Sequence, residues 1–473
     1  MRLSRFHCTN SRLPRLLLAA GALSLALATH SYADVTLTPG QDVQAAVNSN
    51  YPGTTFIFST GLYRGQSIIP KQGDIFVGQP GVYLNGSTIL TNFSQNGVYY
   101  LATVKLSAVS APGSCLSDRP GCTYPEDLFL DGRRLERVTA ASAVAAGKWF
   151  LDYSTGAVYM VDSPFGHLVQ LSTSRFAFGG NASGVVIRGL HIQKYANPAQ
   201  KGAIEGAAGL NWTIQQNEVS YNHGAGLHLG GAAQVLNNYI HHNGQIGMSG
   251  GGNDILIQNN EIAYNNTAGY DWSWQSGGAK LTTTNRLVVR GNYVHDNVGP
   301  GFITDYNNYN TLYESNHTAR NIAAGIMHEV SFSAIIRYNQ IESDGFNPRG
   351  GSAWWGSGIR ILASSDVEIY GNTLVKCMNG IIGIQTDRGA GYQVQNLNVH
   401  DNVITQATGI AAGIVTQSQF SPAVFTSSNN HLDYNTYHVT SLTGAYFAWD
   451  NRYLPITTWQ SYGNDVNGTL LLP

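Results

Sequence analysis

The sequence predicts an all-β protein wound as a solenoid, and three observations carry that prediction. The first is a repeat. The segments QNEVSYN, NNYIHHN, NNEIAYN, GNYVHDN, SNHTARN, YNQIESD, GNTLVKC and DNVITQ align on Asn217, Asn238, Asn260, Asn292, Asn316, Asn339, Asn372 and Asn402, at spacings of 21, 22, 32, 24, 23, 33 and 30 residues. The second is the short strand that follows six of these segments: GLHL from Gly226, GMSG from Gly247, AKLT from Ala279, GFITD from Gly301, GIMHE from Gly325 and GIRIL from Gly358. These alternate apolar and polar residues and show no helical period. The third is composition. With 54 glycines and 11% charged residues in 473, the chain is glycine-rich and charge-poor, against about 7% and about 25% in an average globular protein. Glycine and asparagine disfavour helix, while 43% hydrophobic residues are too many for disorder.

A unit of about 22 residues is one turn of a coil. Equivalent strands of successive turns pair in parallel about 4.8 Å apart, and aligned asparagines can serve the backbone at the bends between them. The expected architecture is a right-handed parallel β-helix. A β-propeller would need blades of about 40–50 residues and is excluded by the spacing.

Taken in order, residues 1–33 read as a secretory signal. Arg2, Arg5, Arg12 and Arg15 precede an apolar run from Leu16 to Ala28, and Ser31 and Ala33 supply small residues at a cleavage site. The run is too short to span a bilayer, so the expectation is a secreted or periplasmic protein without a membrane span. Residues 34–96 open the helix through VQAAV (Val43–Val47) and GTTFIFSTGLYRG. Residues 97–178 interrupt the repeat and read as an inserted β-rich module containing DLFLDGRRL and WFLDYSTGAVYM. Residues 179–420 form the main helix. Residues 421–473 lose the repeat and are expected to cap an end whose bare strand edges would otherwise aggregate. Cys115 and Cys122, in CLSDRPGC, suit a disulfide, and Cys377 suits a buried thiol. A formal charge of −2 and the lack of a large basic run exclude a nucleic-acid footprint. A monomer is expected.

Strand alternation then locates the chemistry. In GFITD, Phe302 and Thr304 point inward while Ile303 and Asp305 point out; in GIMHE, Met327 and Glu329 point out and His328 points in. Asp305 and Glu329 thus hold one position on neighbouring coils, near the carboxyl separation of about 5–5.5 Å used by retaining glycosidases. Lys280, one coil earlier, and Arg360, one coil later, occupy the outward position two residues before the acids, and His228 lies farther back in that column. Two adjacent carboxyls cannot both ionise easily, so one is expected to hold its proton. The two longest coils carry AGYDWSWQSGG and DGFNPRGGSAWWGSG, placing Trp272, Trp274, Trp354 and Trp355 on loops beside the acids as platforms for sugar faces.

As a whole the mature chain resembles the secreted right-handed parallel β-helix proteins, a group rich in polysaccharide-active enzymes. At the acid pair it resembles the β-xylosidases of glycoside hydrolase family 120, which also end one glycine-led strand in Asp and the next in Glu. That resemblance implies Asp305 as nucleophile and Glu329 as general acid/base, with no cofactor; the residues alone do not choose between the two. Two other classes remain open. One is a polysaccharide lyase, since Lys280 in AKLTTTN resembles the lysine strand of alginate and chondroitin lyases of this fold, where calcium is possible. The other is a non-catalytic carbohydrate-binding solenoid, in which the acids are merely solvated.

Overall fold

The computed structural model describes residues 33–109, 112–347, 354–389, 391–406, 409–417 and 423–473. The stretch read as a secretory signal lies outside these residues, apart from Ala33.

Three long sheets, of 13, 13 and 12 strands among the described residues, run side by side along one axis, and the chain visits them in turn. One coil illustrates the pattern: Val288–Arg290 lies in the first sheet, Tyr293–His295 in the second and Phe302–Asp305 in the third. Each strand pairs in parallel with its equivalents one coil away, so the molecule is a parallel β-helix. Inward positions are apolar because they have no other solvent. Ile192, Val219, Ile240, Ile262 and Val294 follow one another down the second sheet, all fully buried, each contributing about 1.5–3 kcal/mol by leaving water.

The bends explain the repeat. The residue before each aligned asparagine has a left-handed backbone, among them Gln216, Asn259, Ser315 and Tyr338 at φ of 55 to 56°. The asparagine itself is buried and closes the turn. Asn260 donates through Nδ2 to the carbonyl of Val235 (2.8 Å) and to Oδ1 of Asn292 (3.0 Å), and its backbone N–H meets the same Oδ1 at 2.9 Å. This pattern runs unbroken from Asn217 to Asn435 and ends on Asp465. A second ladder at the next corner links Asn222, Asn243, Asn265, Asn297 and Asn321 and ends on Asp344.

Both ends are covered. The helix Val43–Ser49, capped by Asp42, lays Val43 and Val47 on the core beside the first coil. At the far end Ile456–Ser461 buries Trp459 against Phe447. The stack does not stop at residue 420. His431–Asp433, Thr436–Val439 and Phe447–Trp449 add a further strand to each sheet, and only then does Arg452–Leu454 turn back antiparallel. The coil persists there without its Gly-led signature, because Tyr446 stands where Gly301, Gly325, Gly358 and Gly380 stand in earlier coils. The inserted strands likewise begin at Ser87, not near 97, and finish at Ser172. Ser87–Leu90 pairs antiparallel with Val169–Ser172, a partnership between segments too distant for local alternation to reveal. The insert has its own core around Trp149, Leu151, Val158 and Met160. Its loop is closed by a Cys115–Cys122 disulfide, and Cys377 is a buried free thiol.

Candidate active site

The outer face of the third sheet carries the acids. Asp305 and Glu329 are register partners on neighbouring strands, as are the inward Thr304 and His328 behind them. In the column two residues earlier, His228, Ser249, Lys280, Ile303, Met327 and Arg360 succeed one another coil by coil. His328 is fully buried on Oγ1 of Thr304 (2.7 Å), and burial holds it neutral, down at about 3. It belongs to the scaffold.

The two carboxyls have different surroundings. Lys280 places Nζ 2.8 Å from Oδ2 of Asp305, and Oδ1 has no hydrogen bond among the described residues. Glu329 is only 8% exposed. Burial raises its carboxyl above the usual range and the Asp305 charge adds to that, while Arg388, Arg360 and Lys280 act in the opposite direction. Arg388 contacts Oε1 of Glu329 at 2.5 Å. The arrangement therefore sets a carboxyl paired with Lys280 beside one that burial biases toward keeping its proton.

Glu329, Lys280 and Arg388 open onto a cavity of about 460 Å³ walled by Trp272, Trp274 and Trp355. The tryptophan wall at 272–275 is a single helical turn capped by Asp271, and the insert braces it. Cys115 bridges to Tyr270, the Leu116 N–H donates to the Gly269 carbonyl (2.9 Å), and the Asp271 N–H donates to the Ser114 carbonyl (2.8 Å). Tyr270 is fully buried against Cys122 and Ala199. The disulfide loop thus extends, in strand-like pairing, the loop that carries two of the three rings. On the other side of Lys280 lies a second cavity of about 680 Å³, to which His228, Ser249, Gln275 and Thr282 contribute.

Two expected site residues differ from their sequence reading. Trp354 does not line the cavity. It stacks on Tyr453 at 5.1 Å and packs on the outward apolar residues of the third sheet, because the last coils present Ile382, Ile384 and Val415 outward and these need a cover. Arg360 lines the cavity but is only 1% exposed. Its guanidinium lies over the Trp355 ring at 4.7 Å, bonds the Trp355 carbonyl, and is pulled down to about 10 by burial. It therefore positions Trp355. His228 keeps its column but reaches only the second cavity, with Nδ1 2.8 Å from Glu205. Sequence reasoning missed Arg388, which reaches Glu329 from a loop past the strand Ile381–Gln385. Its one signal was a cation just beyond a strand of the same sheet. Among the described residues no group of three or more side chains is placed to hold a metal ion, and no helix is long and apolar enough to cross a membrane.

Comparison with known proteins addresses the fold. A family model described as right handed beta helix region matches residues 203–374, while no curated protein matches the chain. Among solved structures, XylC in complex with xylose is similar at a TM-score of 0.64 and 14% identity, over 90% of this chain and 82% of that one. The A-module of the Azotobacter vinelandii mannuronan C-5 epimerase AlgE4 aligns at a TM-score of 0.48 and 13% identity, over 91% and 92%. The catalytic domain of a GH87 alpha-1,3-glucanase aligns at 0.40 and 12%, over 88% and 68%. Together with the three parallel sheets, the family model and the likeness to XylC make the chain a right-handed parallel β-helix.

Proposed function

We propose that the protein is a secreted retaining glycoside hydrolase acting on a polysaccharide or its oligomers, with Asp305 as nucleophile and Glu329 as general acid/base. The observation that carries the reading is the asymmetric acid pair. The two carboxyls occupy one position on adjacent coils, whose backbones lie about 4.8 Å apart, close to the 5–5.5 Å of retaining enzymes and short of the 6.5–9.5 Å of inverting ones. One is paired with Lys280; the other, although Arg388 contacts it, is biased toward its acid form by burial and by its neighbour's charge. Oδ1 of Asp305 attacks the anomeric carbon while Glu329 gives its proton to the departing glycosidic oxygen. Glu329 then takes a proton from water, which attacks the same carbon and releases Asp305. The aromatic wall beside Glu329 supports a sugar substrate, as do the xylose held by the structurally similar XylC and the resemblance of the acid pair to family 120 β-xylosidases.

A lyase would need Lys280 free to take a proton, and its ammonium is engaged by Asp305. A binding-only solenoid would be indifferent to the acids. The test is a panel of aryl glycosides and polysaccharides with the variants Asp305→Asn and Glu329→Gln. Asp305→Asn loses turnover on every substrate. Glu329→Gln keeps bond cleavage only on dinitrophenyl glycosides, whose leaving group needs no proton. The first product released by the wild type has retained anomeric configuration. New ultraviolet absorbance from an unsaturated uronate, or full activity in both variants, rules the proposal out.

A further inference from the structure

The cavity beyond Lys280 is not needed to cleave a bond, yet it is the larger of the two, about 680 Å³ against about 460 Å³. Both fall in the range of about 300–1,000 Å³ typical of ligand sites. Their chemistry differs. The cavity beside Glu329 is walled by indole rings, whereas the second has no indole and sets the hydroxyl, amide and imidazole groups of Ser249, Thr282, Gln275 and His228 among apolar Pro198, Ala199 and Leu229, the mixed surface that a sugar ring presents. Several of these have unused hydrogen-bonding capacity. Ser249 is 3% exposed and its hydroxyl has no partner among the described residues. Gln275 accepts from Gln200 through Oε1 (2.7 Å), which leaves its amide hydrogens available. His228 is held by Nδ1 on Glu205 (2.8 Å), which leaves Nε2. The cations at the rim are already paired: Lys201 lies 3.6 Å from Glu205 and Lys280 lies 2.8 Å from Asp305. The cavity therefore offers donors and acceptors without a spare positive charge, which suits neutral hydroxyls and not a carboxylate. Ser249 and His228 sit one and two coils from Lys280, about 5 and 10 Å at the strand repeat, which is the reach of one or two sugar units.

We infer that this second cavity is a binding subsite for neutral sugar, so that the substrate straddles Lys280 with a sugar unit on each side of the acid pair. The inference rests on the hydrolase reading and narrows its substrate to neutral oligosaccharides or polymers longer than a dimer.

The test uses xylo-, cello- and manno-oligosaccharides of two to five units, measured both as kcat/KM and as calorimetric binding to the non-turning Glu329→Gln protein. Wild type is expected to gain about tenfold or more in kcat/KM from the dimer to the tetramer of one series, the worth of one or two added hydrogen bonds. His228→Ala and Gln275→Ala, each checked for an unchanged melting transition, cancel that gain and the matching gain in binding. Oligomers ending in a uronate gain nothing over the neutral ones. Length-dependent binding that His228→Ala abolishes, without any hydrolysis by wild type, would defeat the hydrolase reading and leave the subsite standing. Binding and turnover flat with length in all three series, variants that weaken every length equally, or a preference for the uronate oligomers would each overturn the subsite.

Discussion

Replacing Asp344 by asparagine should stabilise the protein above neutral pH and do little below about pH 3.5. Asp344 ends the second asparagine ladder, fully buried, and accepts from Asn321 through Oδ1 (N–H 2.7 Å, Nδ2 2.9 Å) and from the Thr318 hydroxyl through Oδ2 (2.6 Å). Burial pushes its carboxyl from 3.8 up to about 7 despite these bonds. A carboxyl whose native pKa is raised keeps its proton in the folded chain after the unfolded chain has lost it. Stability therefore falls as pH rises from about 4 to about 7 and is flat above. A shift of about 3 units corresponds to about 4 kcal/mol withdrawn at pH 8. An amide cannot ionise, and Thr318, whose hydroxyl both donates and accepts, can receive its N–H. Asp344→Asn should thus gain up to about 4 kcal/mol over wild type at pH 8 and about 0 at pH 3, read as the difference in urea midpoints at the two pH values. Other titrating groups cancel in that difference. An equal effect at both pH values, or destabilisation at pH 8, would refute the placement of a reluctantly ionised carboxyl at the end of the ladder.

Removing Arg388 takes away a cation that lowers the Glu329 carboxyl, so Arg388→Ala should move the alkaline limb of the pH–rate profile to higher pH; a limb moving to lower pH would contradict the contact. Asn292→Ala strips three donor bonds and leaves two donors of Asn260 without their acceptor. It should cost about 3 kcal/mol or more, measurable by denaturant unfolding, whereas the same change at exposed Asn467 should cost less than half as much. Opening the insert loop with Cys115→Ser and Cys122→Ser together should raise KM for oligosaccharides several-fold while kcat stays within about twofold, because the loop orders Trp272 and Trp274 and touches neither acid. Unchanged KM in steady-state kinetics would show that the brace is irrelevant to binding.

The repeat could be read from the sequence because its cause is local and periodic: a left-handed residue followed by a buried asparagine recurs at each bend, and the ladder forbids drift in register. The same periodicity made the pairing of Asp305 with Glu329 legible, since a one-residue slip would have turned both acids inward. Groups that reach across coils were not legible. Arg388 meets Glu329 from a loop 59 residues later, and no period links the two. Arg360 was assigned its outward direction from alternation, but alternation cannot say that Trp355 folds over it. Trp354 looked like its neighbour and points instead to Tyr453, because the apolar outer face of the last coils was not recognised as a surface needing cover. Asp344 was visible as the one acid in a column of asparagines, in YNQIESD. So was its compensation, Thr318, in a column filled by Val, Ile and Leu on the coils either side of it, although nothing in the sequence joined the two.

A solenoid repeats its interior, so it can differentiate a site only from outside, and the acid pair shows how. Asp305 and Glu329 share backbone geometry and sheet, and each lies one coil from the other. What separates them is which neighbours lie up and down the axis. Toward the N-terminal coils, Lys280 reaches Asp305 from one strand back and pairs with it in a partly buried groove. Toward the C-terminal coils, Leu362 is the register partner of Glu329, and buried Arg360 and Met327 lie close by. This is the surface on which desolvation acts, and it is closed further by the tryptophan loop. Stacking thus imposes a direction along the axis. Lys280, which pairs with Asp305, borders both cavities, and the reluctant acid faces the aromatic one.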